Sequence, residues 1–495
     1  MRRLFPSGAL LLLVACGGGG GDSDPAAAPS ALSYPSPQEF TAGVLIMPLS
    51  PIVTGTVTSY SSSPALPAGI TLNTTTGLIG GTPTSAVANT NYTITARNSA
   101  GSASCLVAIT INAPVQIALE PADSTTIGVG QRINMFLVRR GGGALFPEYI
   151  DPNLVTWSSS NLARAAIDAN GLVAGMSEGT TTITAQYQSL TVQLSLQVSG
   201  SFTALTLPVA QQGTRRYSIY VPPTVGIGPR PLIISMHGGG GTAQLQAAMS
   251  QLVKLAQAQQ IVVAFLEGNG VIQTFNAGDC CGTAQTQDID DVAYVRAVID
   301  DVEARNAINS SRIFATGFSN GGMMSHRLAC ALADRLAGIA AVSGASGEFD
   351  RTGTPYYACN PARPIPVLHI HDTNDRNYPY AGGMGNGISS TDYYPVDATI
   401  SDWIARNNLG NQATVVQVSP TTSCTTYATP ADSSRASARV ALCRVDPPDL
   451  YDPANEVVFG GGHSWPGGIR SPGQKSDVPV TDFNASNYLW SFLNP

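Results

Sequence analysis

The segment Arg312–Met324 constrains the fold of this chain more than any other part of it. Its residues 313–316 are β-branched, aromatic or small, which predicts a buried strand. The strand breaks at Gly-Phe-Ser-Asn-Gly (residues 317–321), and an alanine- and leucine-rich stretch to about Asp334 predicts a helix. The flanking glycines allow a turn this sharp because they carry no Cβ. Strand, G-x-S-x-G and helix together predict a nucleophile elbow that presents Ser319.

A serine hydroxyl needs a base to remove its proton, and the chain has only 5 histidines. His463 follows a hydrophobic strand and a glycine hinge near the C-terminus, which is where hydrolases with this elbow place the base. We therefore predict His463 as the base. His326 lies on the helix after the elbow, and His369 and His371 lie in a buried strand, so structural roles are expected for these three.

The acid that orients the imidazole should lie between the serine and the histidine in the chain. The predicted strand Pro366–His371 is followed by Asp372 and Asp375, at the edge of the sheet where open α/β folds place active sites. We predict Asp375 as the acid, because the loop beyond the strand gives it reach. Asp372 is more typical of a solvated turn.

A tetrahedral intermediate also needs hydrogen-bond donors for its oxyanion. One expected donor is the backbone N–H of Asn320, the residue after the nucleophile. A second strand, Pro231–Met236, runs into His237 and a run of glycines that begins with Gly238 and Gly239. Glycines let backbone amides approach a ligand closely, so we predict an oxyanion loop anchored by His237. A surface turn is the alternative.

Six motifs in this part of the chain occur in the order known from one enzyme family. They are H-G-G-G-G-T, N-A-G-D-C-C-G, D-I-D-D-V-A-Y, G-F-S-N-G-G-M-M, H-I-H-D-T-N-D and G-G-G-H-S-W-P-G. The region 202–495 thus resembles the esterase/polyhydroxybutyrate depolymerase family, which includes feruloyl and acetylxylan esterases. The resemblance implies an α/β-hydrolase with a doubly wound, mostly parallel sheet, no cofactor, and a Ser319, Asp375 and His463 triad. Asp372 stands where relatives usually have glycine, which adds a second carboxylate near the site.

Two aromatic residues are candidates for substrate binding. Trp465 directly follows the loop of the base, where it would either stack on a phenolic acyl group or wall the cleft. Tyr380 begins a glycine-rich insert, residues 380–394, which would either border the acyl pocket or form an uninvolved surface loop.

The N-terminus has the pattern of an export signal. A basic start, a short apolar stretch and small residues predict a signal peptide over residues 1–15. Leu13–Cys16 resembles a bacterial lipobox, which implies lipidation of Cys16 and anchoring in the outer membrane through this lipid, with residues 16–30 as a glycine-rich tether. Ordinary secretion is the alternative.

The cysteines suit an exported protein. Cys105 is expected to be a buried thiol, and the six cysteines of the region 202–495 predict up to three disulfides. Cys424 and Cys443 are the easiest pair to propose, whereas Cys280 and Cys281 are expected to have separate partners. No histidine is spaced for a zinc site, so no metal is predicted.

The region 31–200 is rich in Thr, Ser, Val and Gly, with alternating runs that predict all-β sandwiches. Leu66–Thr84 resembles an Ig-like domain of bacterial surface proteins, assigned to residues 31–114. Val155–Ala185 resembles a group 2 bacterial Ig-like domain, assigned to residues 115–200. We expect both to be spacers, and polymer binding is the alternative.

The net charge is −7 and only 12% of the residues are charged. The sequence therefore shows no basic pattern typical of nucleic-acid binding, and nucleic acid is not expected as a partner. The predicted function is that of a cell-surface or secreted serine esterase that acts on esters of polymers through an acyl-enzyme, either feruloyl or acetyl polysaccharide esters or polyesters. The alternatives are a serine peptidase on the same scaffold and a non-catalytic surface adhesin. The sequence leaves the oligomeric state open.

Overall fold

The computed structural model describes residues 27–121, 125–141, 148–223, 228–350, 352–387, 391–410, 412–428, 438–452, 457–470 and 477–494. The chain divides into two compact units, Met1–Ile117 with Val138–Tyr149, and Ala118–Leu137 with Ile150–Pro495. The predicted signal peptide, Cys16 and most of the predicted tether lie outside the described residues. No helix among the described residues is long and apolar enough to cross a membrane.

The first unit is built mainly from antiparallel strands, with one parallel pair in which residues 38–41 run beside residues 109–112. Tyr92, Ile94 and Ala96 alternate inward along one strand and are buried, as the two-residue period of a strand requires. Cys105 lies directly opposite Ile94 on the neighbouring strand and is also buried. The strands are β1 (Ser30–Ser33), β2 (Gln38–Thr41), β3 (Ile52–Thr54), β4 (Ser59–Ser63), β5 (Ile70–Leu72), β6 (Ile79–Gly81), β7 (Val87–Asn98) and β8 (Gly101–Asn112).

The strands that follow in the chain are also short. They are β9 (Gln116–Glu120), β10 (Thr125–Val129), β11 (Arg132–Asn134), β12 (Phe136–Arg140), β13 (Glu148–Tyr149), β14 (Thr156–Ser159), β15 (Ala165–Ile167), β16 (Leu172–Gly175) and β17 (Gly179–Tyr187), with one 3-10 turn at Pro152–Leu154.

Strand β18 (Leu190–Val209) runs through two different surroundings. Its first half pairs with β17, from Leu190 opposite Tyr187 to Val198 opposite Gly179. Its second half, from Ser201 to Val209, pairs with β19 (Gly213–Val221). One strand therefore connects β17 and the parallel strands of the region 202–495 within a single continuous sheet.

The region 202–495 is built on a sheet whose middle strands are parallel. Along the sheet the order is β19, β21, β20, β22, β23, β24, β29, β28, β27, and the pairs from β21 to β29 are parallel. The strands of this region are β20 (Arg230–Met236), β21 (Val262–Leu266), β22 (Ile308–Phe318), β23 (Gly338–Val342), β24 (Val367–Asp372), β25 (Gly383–Met384), β26 (Asp392–Tyr393), β27 (Ala413–Ser419), β28 (Thr422–Tyr427), β29 (Val440–Val445), β30 (Tyr451–Asp452) and β31 (Val457–Val458). Of these, β25 with β26 and β30 with β31 form separate two-stranded sheets.

Helices cover both faces of this sheet. The helices are α1 (Ala243–Ser250), α2 (Leu252–Gln259), α3 (Gly282–Thr286), α4 (Asp291–Arg305), α5 (Asn320–Ala331), α6 (Val396–Arg406) and α7 (Ala485–Leu493). One apolar core holds Leu232 and Ile234 with side chains of α4, α5 and α6, and the other holds Ile233 with side chains of α1, α2 and α7. This is the doubly wound α/β arrangement that was predicted.

Three disulfides lie in the described part of the region 202–495. Cys424 and Cys443 bridge directly opposite positions of β28 and β29, as expected, and Cys330 pairs with Cys359. The expectation of separate partners for Cys280 and Cys281 is wrong, because these two cysteines are bonded to each other. The other four cysteines form disulfides with one another, at Cα separations of 4.8 and 4.0 Å. Cys280 and Cys281 therefore have no other cysteine of this region as a partner.

Candidate active site

The nucleophile elbow has the predicted form. Strand β22 ends at Phe318, Ser319 has φ 55° and ψ −121°, and α5 begins at Asn320. A Cβ on Gly317 would lie 2.3 Å from the carbonyl oxygen of Gly321, and one on Gly321 would lie 2.3 Å from that of Met236. Both glycines are therefore required for the turn, and the turn holds Ser319 in a backbone conformation that L-residues rarely adopt.

The predicted base and acid meet in the structure. The Nδ1–H of His463 donates to Oδ2 of Asp375 at 2.8 Å, and both side chains are buried. The other carboxylate oxygen, Oδ1, accepts the backbone N–H groups of Asn377 and Tyr378 at 2.9 and 2.7 Å, which fixes the plane of the carboxylate. Burial opposes a charge on His463, but the negative charge and hydrogen bond of Asp375 outweigh it and raise the pKa of the imidazole. The pair is thus arranged to stabilise an imidazolium.

The neighbouring Asp372 differs from its expectation as a solvated turn residue. Its side chain is buried, at 3% exposure, and Oδ1 accepts the backbone N–H of Asn374 at 2.7 Å. Burial raises the pKa of this carboxyl to about 8, with smaller contributions from Asp375 and Asp477. Asp372 is therefore protonated over most of the neutral range, which suits it poorly for holding an imidazolium.

We expect Asp372→Asn to change how stability depends on pH. The folded-state pKa is raised, so above the ordinary value of 3.8 folding requires proton uptake, and stability falls as pH rises toward about 8. The amide of the variant does not titrate. Between pH 5 and pH 7 the unfolding free energy of the variant, relative to that of the parent protein, should rise by up to about 1.4 kcal/mol for each pH unit. Urea denaturation of both proteins measures this difference. Parallel pH curves for the two proteins would contradict a buried, protonated Asp372.

The predicted oxyanion loop lies beside the nucleophile. The ring of His237 is buried between two backbone groups, because Nδ1–H donates to Gly238 O at 2.6 Å and Nε2 accepts Gly268 N–H at 3.0 Å. Burial lowers the pKa of His237 to about 4, so this ring is a neutral anchor at neutral pH. A Cβ on Gly238 would lie 3.1 Å from Cβ of Ser319, which shows how closely this backbone passes the serine.

The side chain of Asn320 is held by backbone groups of the segment that contains Phe275 and Cys280. Its Oδ1 accepts the N–H of Phe275 at 2.7 Å, and its Nδ2 donates to the carbonyl oxygens of Phe275 and Cys280 at 2.9 and 3.3 Å. These hydrogen bonds fix the side chain of Asn320. Its backbone N–H is at the first residue of α5. A helix N-terminus there favours a developing negative charge.

A cavity of about 560 Å³ brings these parts together. Ser319, His463, His237, Gly238 and Gly239 all line it. The rest of its wall consists of Gly240, Gly241, Leu245, Gln246, Met249, Ile272, Phe318, Arg376, Asn377, Asn386, Gly387, Tyr451, Val458 and Asp477.

The two aromatic residues predicted for substrate binding are placed elsewhere. Trp465 is 1% exposed, its Nε1–H donates to Ser486 Oγ at 3.1 Å, and it packs in the core with α7. The hydroxyl of Tyr380 donates to Asp397 at 2.7 Å. Neither is among the described residues that line the cavity. Its aromatic wall is formed by Phe318, whose ring centre is 4.7 Å from that of His463, and by Tyr451.

Asp477 is a site residue that sequence reasoning missed. Its carboxylate accepts the backbone N–H of His463 at 2.6 Å and that of Val458 at 2.7 Å. It therefore holds the loop that carries the base. No motif marks Asp477, because its partners are backbone groups and any residue type supplies those.

Three parts of the chain match known protein families. Residues 228–386 match the phospholipase/carboxylesterase family, residues 149–198 match the bacterial Ig-like domain (group 2), and residues 28–112 match the family described as "Putative Ig domain".

Curated relatives are esterases. Feruloyl esterase B of Piromyces equi is 29% identical over 220 residues, which are 44% of this chain and 38% of that protein. The chain thus spans well under half the length of that relative. Feruloyl esterase C of Emericella nidulans is 31% identical over 205 residues, 39% of this chain and 70% of that protein. Among solved structures, the acetyl xylan esterase from Aspergillus awamori has a TM-score of 0.36 at 13% identity, over 53% of this chain and 94% of that one.

The family match spans the oxyanion loop, the elbow and the acid, and one feruloyl esterase is matched over most of its length. The chain therefore belongs to the family of this feruloyl esterase, and it carries Ig-like domains ahead of its α/β-hydrolase domain.

Proposed function

We propose that this protein is an exported serine esterase that hydrolyses carboxylic esters carried by polymers. The observation that supports this most strongly is the 2.8 Å contact between His463 Nδ1 and Asp375 Oδ2, because His463 lines the same cavity as the strained Ser319. Nε2 is the ring nitrogen of His463 that does not contact Asp375, and it can accept the proton of the Ser319 hydroxyl.

In the proposed reaction Ser319 Oγ attacks the ester carbonyl carbon while His463 Nε2 takes its proton. Negative charge on the carbonyl oxygen is held by backbone N–H groups of Asn320 and of the His237–Gly239 loop. His463 then gives the proton to the departing alcohol, which leaves an acyl group on Ser319. A water molecule, deprotonated by His463, attacks the acyl carbon, and His463 returns this proton to Ser319 Oγ as the bond between Oγ and the acyl carbon breaks and the acid leaves.

The cavity supports an acyl group of moderate size. Its volume of about 560 Å³ lies in the range of small-molecule sites, and Phe318, Tyr451 and Ile272 give it an apolar wall. Arg376 lies over the ring of Tyr451 at 4.1 Å and forms an ion pair with Asp449 at 2.9 Å. Such a wall suits a phenolic acyl group such as feruloyl, and the named relatives are feruloyl esterases. Acetyl esters of polysaccharide and polyesters such as polyhydroxybutyrate are the other substrates proposed.

Export and the domain roles belong to the same proposal. The three disulfides favour an oxidising compartment, in agreement with the predicted signal peptide over residues 1–15 and lipidated Cys16. Residues 31–114 and 115–200 are proposed as Ig-like domains and residues 202–495 as the esterase domain.

The test is a rate comparison on the purified protein. The panel holds methyl ferulate, acetylated xylan, a hydroxybutyrate oligomer, a short nitrophenyl ester and a peptide amide. We expect ester turnover with methyl ferulate among the better substrates. Oligomer cleavage without ferulate turnover would move the proposal to a polyester depolymerase. Preferential amide cleavage would make the protein a peptidase, and turnover of none of them would favour an adhesin.

A further inference from the structure

Three buried histidines that take no part in the proposed reaction form a chain of ring-to-ring hydrogen bonds. His326 lies on α5, and His369 and His371 lie on β24. Nε2 of His326 is 3.3 Å from Nδ1 of His369, and Nε2 of His369 is 3.0 Å from Nδ1 of His371. All three side chains have no exposed surface.

Both ends of this chain have a fixed polarity. At one end the indole Nε1–H of Trp403 donates to Nδ1 of His326 at 3.0 Å, and an indole can only donate. At the other end Nε2 of His371 is 2.9 Å from the carbonyl oxygen of Tyr378, which can only accept. The three rings between them therefore have one consistent arrangement, with each proton on Nε2 and each Nδ1 accepting.

This arrangement requires every ring to be neutral. A second proton on any of them would place two N–H groups face to face in a contact of 3.0 to 3.3 Å. Burial lowers the pKa of His326 to about 3 and also lowers the pKa values of His369 and His371. The geometry and the desolvation of the rings thus agree.

The chain ends beside the acid. Nε2 of His371 lies 3.4 Å from Oδ2 of Asp375, the same oxygen that accepts the Nδ1–H of His463. Asp375 raises the pKa of His371, against burial and against the charge of His463. Other groups facing His371 are His369 on its own strand and the rings of Tyr378 and Tyr380. Without the chain, His371 would be the second imidazole able to form an ion pair with Asp375.

We propose that the hydrogen-bond chain from Trp403 through His326 and His369 keeps His371 neutral, because Nδ1 of His371 accepts an N–H and cannot take up a proton. As a result, His463 is the only imidazole that forms an ion pair with Asp375 during the reaction. His371 and His369 are in this view positioning residues, which act through Asp375 and do not touch the substrate. The inference rests on the proposed triad.

A matched pair of variants tests it. His369→Leu removes the donor to His371, whereas His369→Gln offers an amide N–H in its place, in a side chain of similar size. With His371 Nδ1 free, a proton can bind there as pH falls, and the imidazolium competes with His463 for Asp375. On a short nitrophenyl ester we expect kcat of His369→Leu to fall about tenfold at pH 6 and about threefold or less at pH 8, at unchanged KM. His369→Gln should stay within about threefold of the parent at both values.

A second measurement needs no variant. Nitrogen NMR of the parent protein with ¹⁵N-labelled histidine should show His326, His369 and His371 neutral with the proton on Nε2 from pH 6 to pH 8. A charged ring among them, a proton on Nδ1 of His371, or equal pH profiles for the Leu and Gln variants would overturn the proposal. If the parent protein hydrolyses no ester, the proposed function fails, and the NMR result still decides whether the chain holds His371 neutral.

Discussion

Replacing Ser319 with alanine is expected to lower kcat/KM for ester hydrolysis by about 10⁴- to 10⁶-fold. The substitution removes the only atom that attacks the carbonyl in the proposed reaction. It leaves the rest of the site intact, because alanine has the same Cβ as serine at φ 55° and the backbone N–H of residue 319 keeps its bond to Val342 O. The residual rate should come from the oxyanion donors and from substrate binding alone.

The measurement is a rate with the best ester of the panel, with Ser325→Ala as the matched control. Ser325 lies on the same helix, and its hydroxyl donates to Gly321 O at 2.9 Å within that helix. The control should keep its rate within about threefold, because a helical serine contributes little through such a bond. Activity that survives in Ser319→Ala would mean that the elbow is not the catalytic site.

Asp375→Asn is expected to lower kcat by about 10⁴-fold while KM changes little. Backbone N–H groups of Asn377 and Tyr378 face the position of Oδ1, so the amide oxygen of the variant will turn to them. Its NH₂ group then occupies the place of Oδ2 and faces the Nδ1 of His463. The imidazole must accept there and carry its proton on Nε2, which is the wrong tautomer for a base.

The matched control is Asp372→Asn, the same change three residues earlier. Since Asp372 is largely protonated at neutral pH and bonds to the Asn374 backbone, kcat should remain within about threefold of the parent. A large loss in Asp372→Asn with a small one in Asp375→Asn would reverse the assignment of the acid. The two variants together therefore decide the alternative that the sequence left open.

The elbow and the doubly wound sheet were predictable because their signals are local. Gly317 and Gly321 lie within a few residues of Ser319, and a short apolar run such as Leu232–Ile234 that leads into glycines is typical of a buried parallel strand. The order Ser319, Asp375, His463 could be stated for the same reason, since each follows a predicted strand. The contact between the acid and the base, 88 residues apart, is shown by the structure.

The cavity wall could not be predicted because it depends on packing between distant segments. Trp465 was placed in the site for its position beside His463, yet its ring is committed to the core by Ser486, 21 residues later. Asp477 bonds to backbone, which has no sequence signature. The polarity of the histidine chain depends on Trp403, 77 residues from its partner His326. These are relations between side chains that a linear pattern does not contain.

Strand β18 sets limits on how this protein can be recombined. A fragment that starts at residue 202 would begin inside a hydrogen-bonded strand and lack the stretch that pairs with β17 and β10. A design that exchanges the group 2 Ig-like domain for another would have to keep the register of β18. A shift of one residue would turn every following side chain of the strand to the opposite face of the sheet. Flexible linkers of the kind used to join modules would break the strand at the joint. For protein engineering, the group 2 domain and the esterase domain should therefore be kept together as one unit.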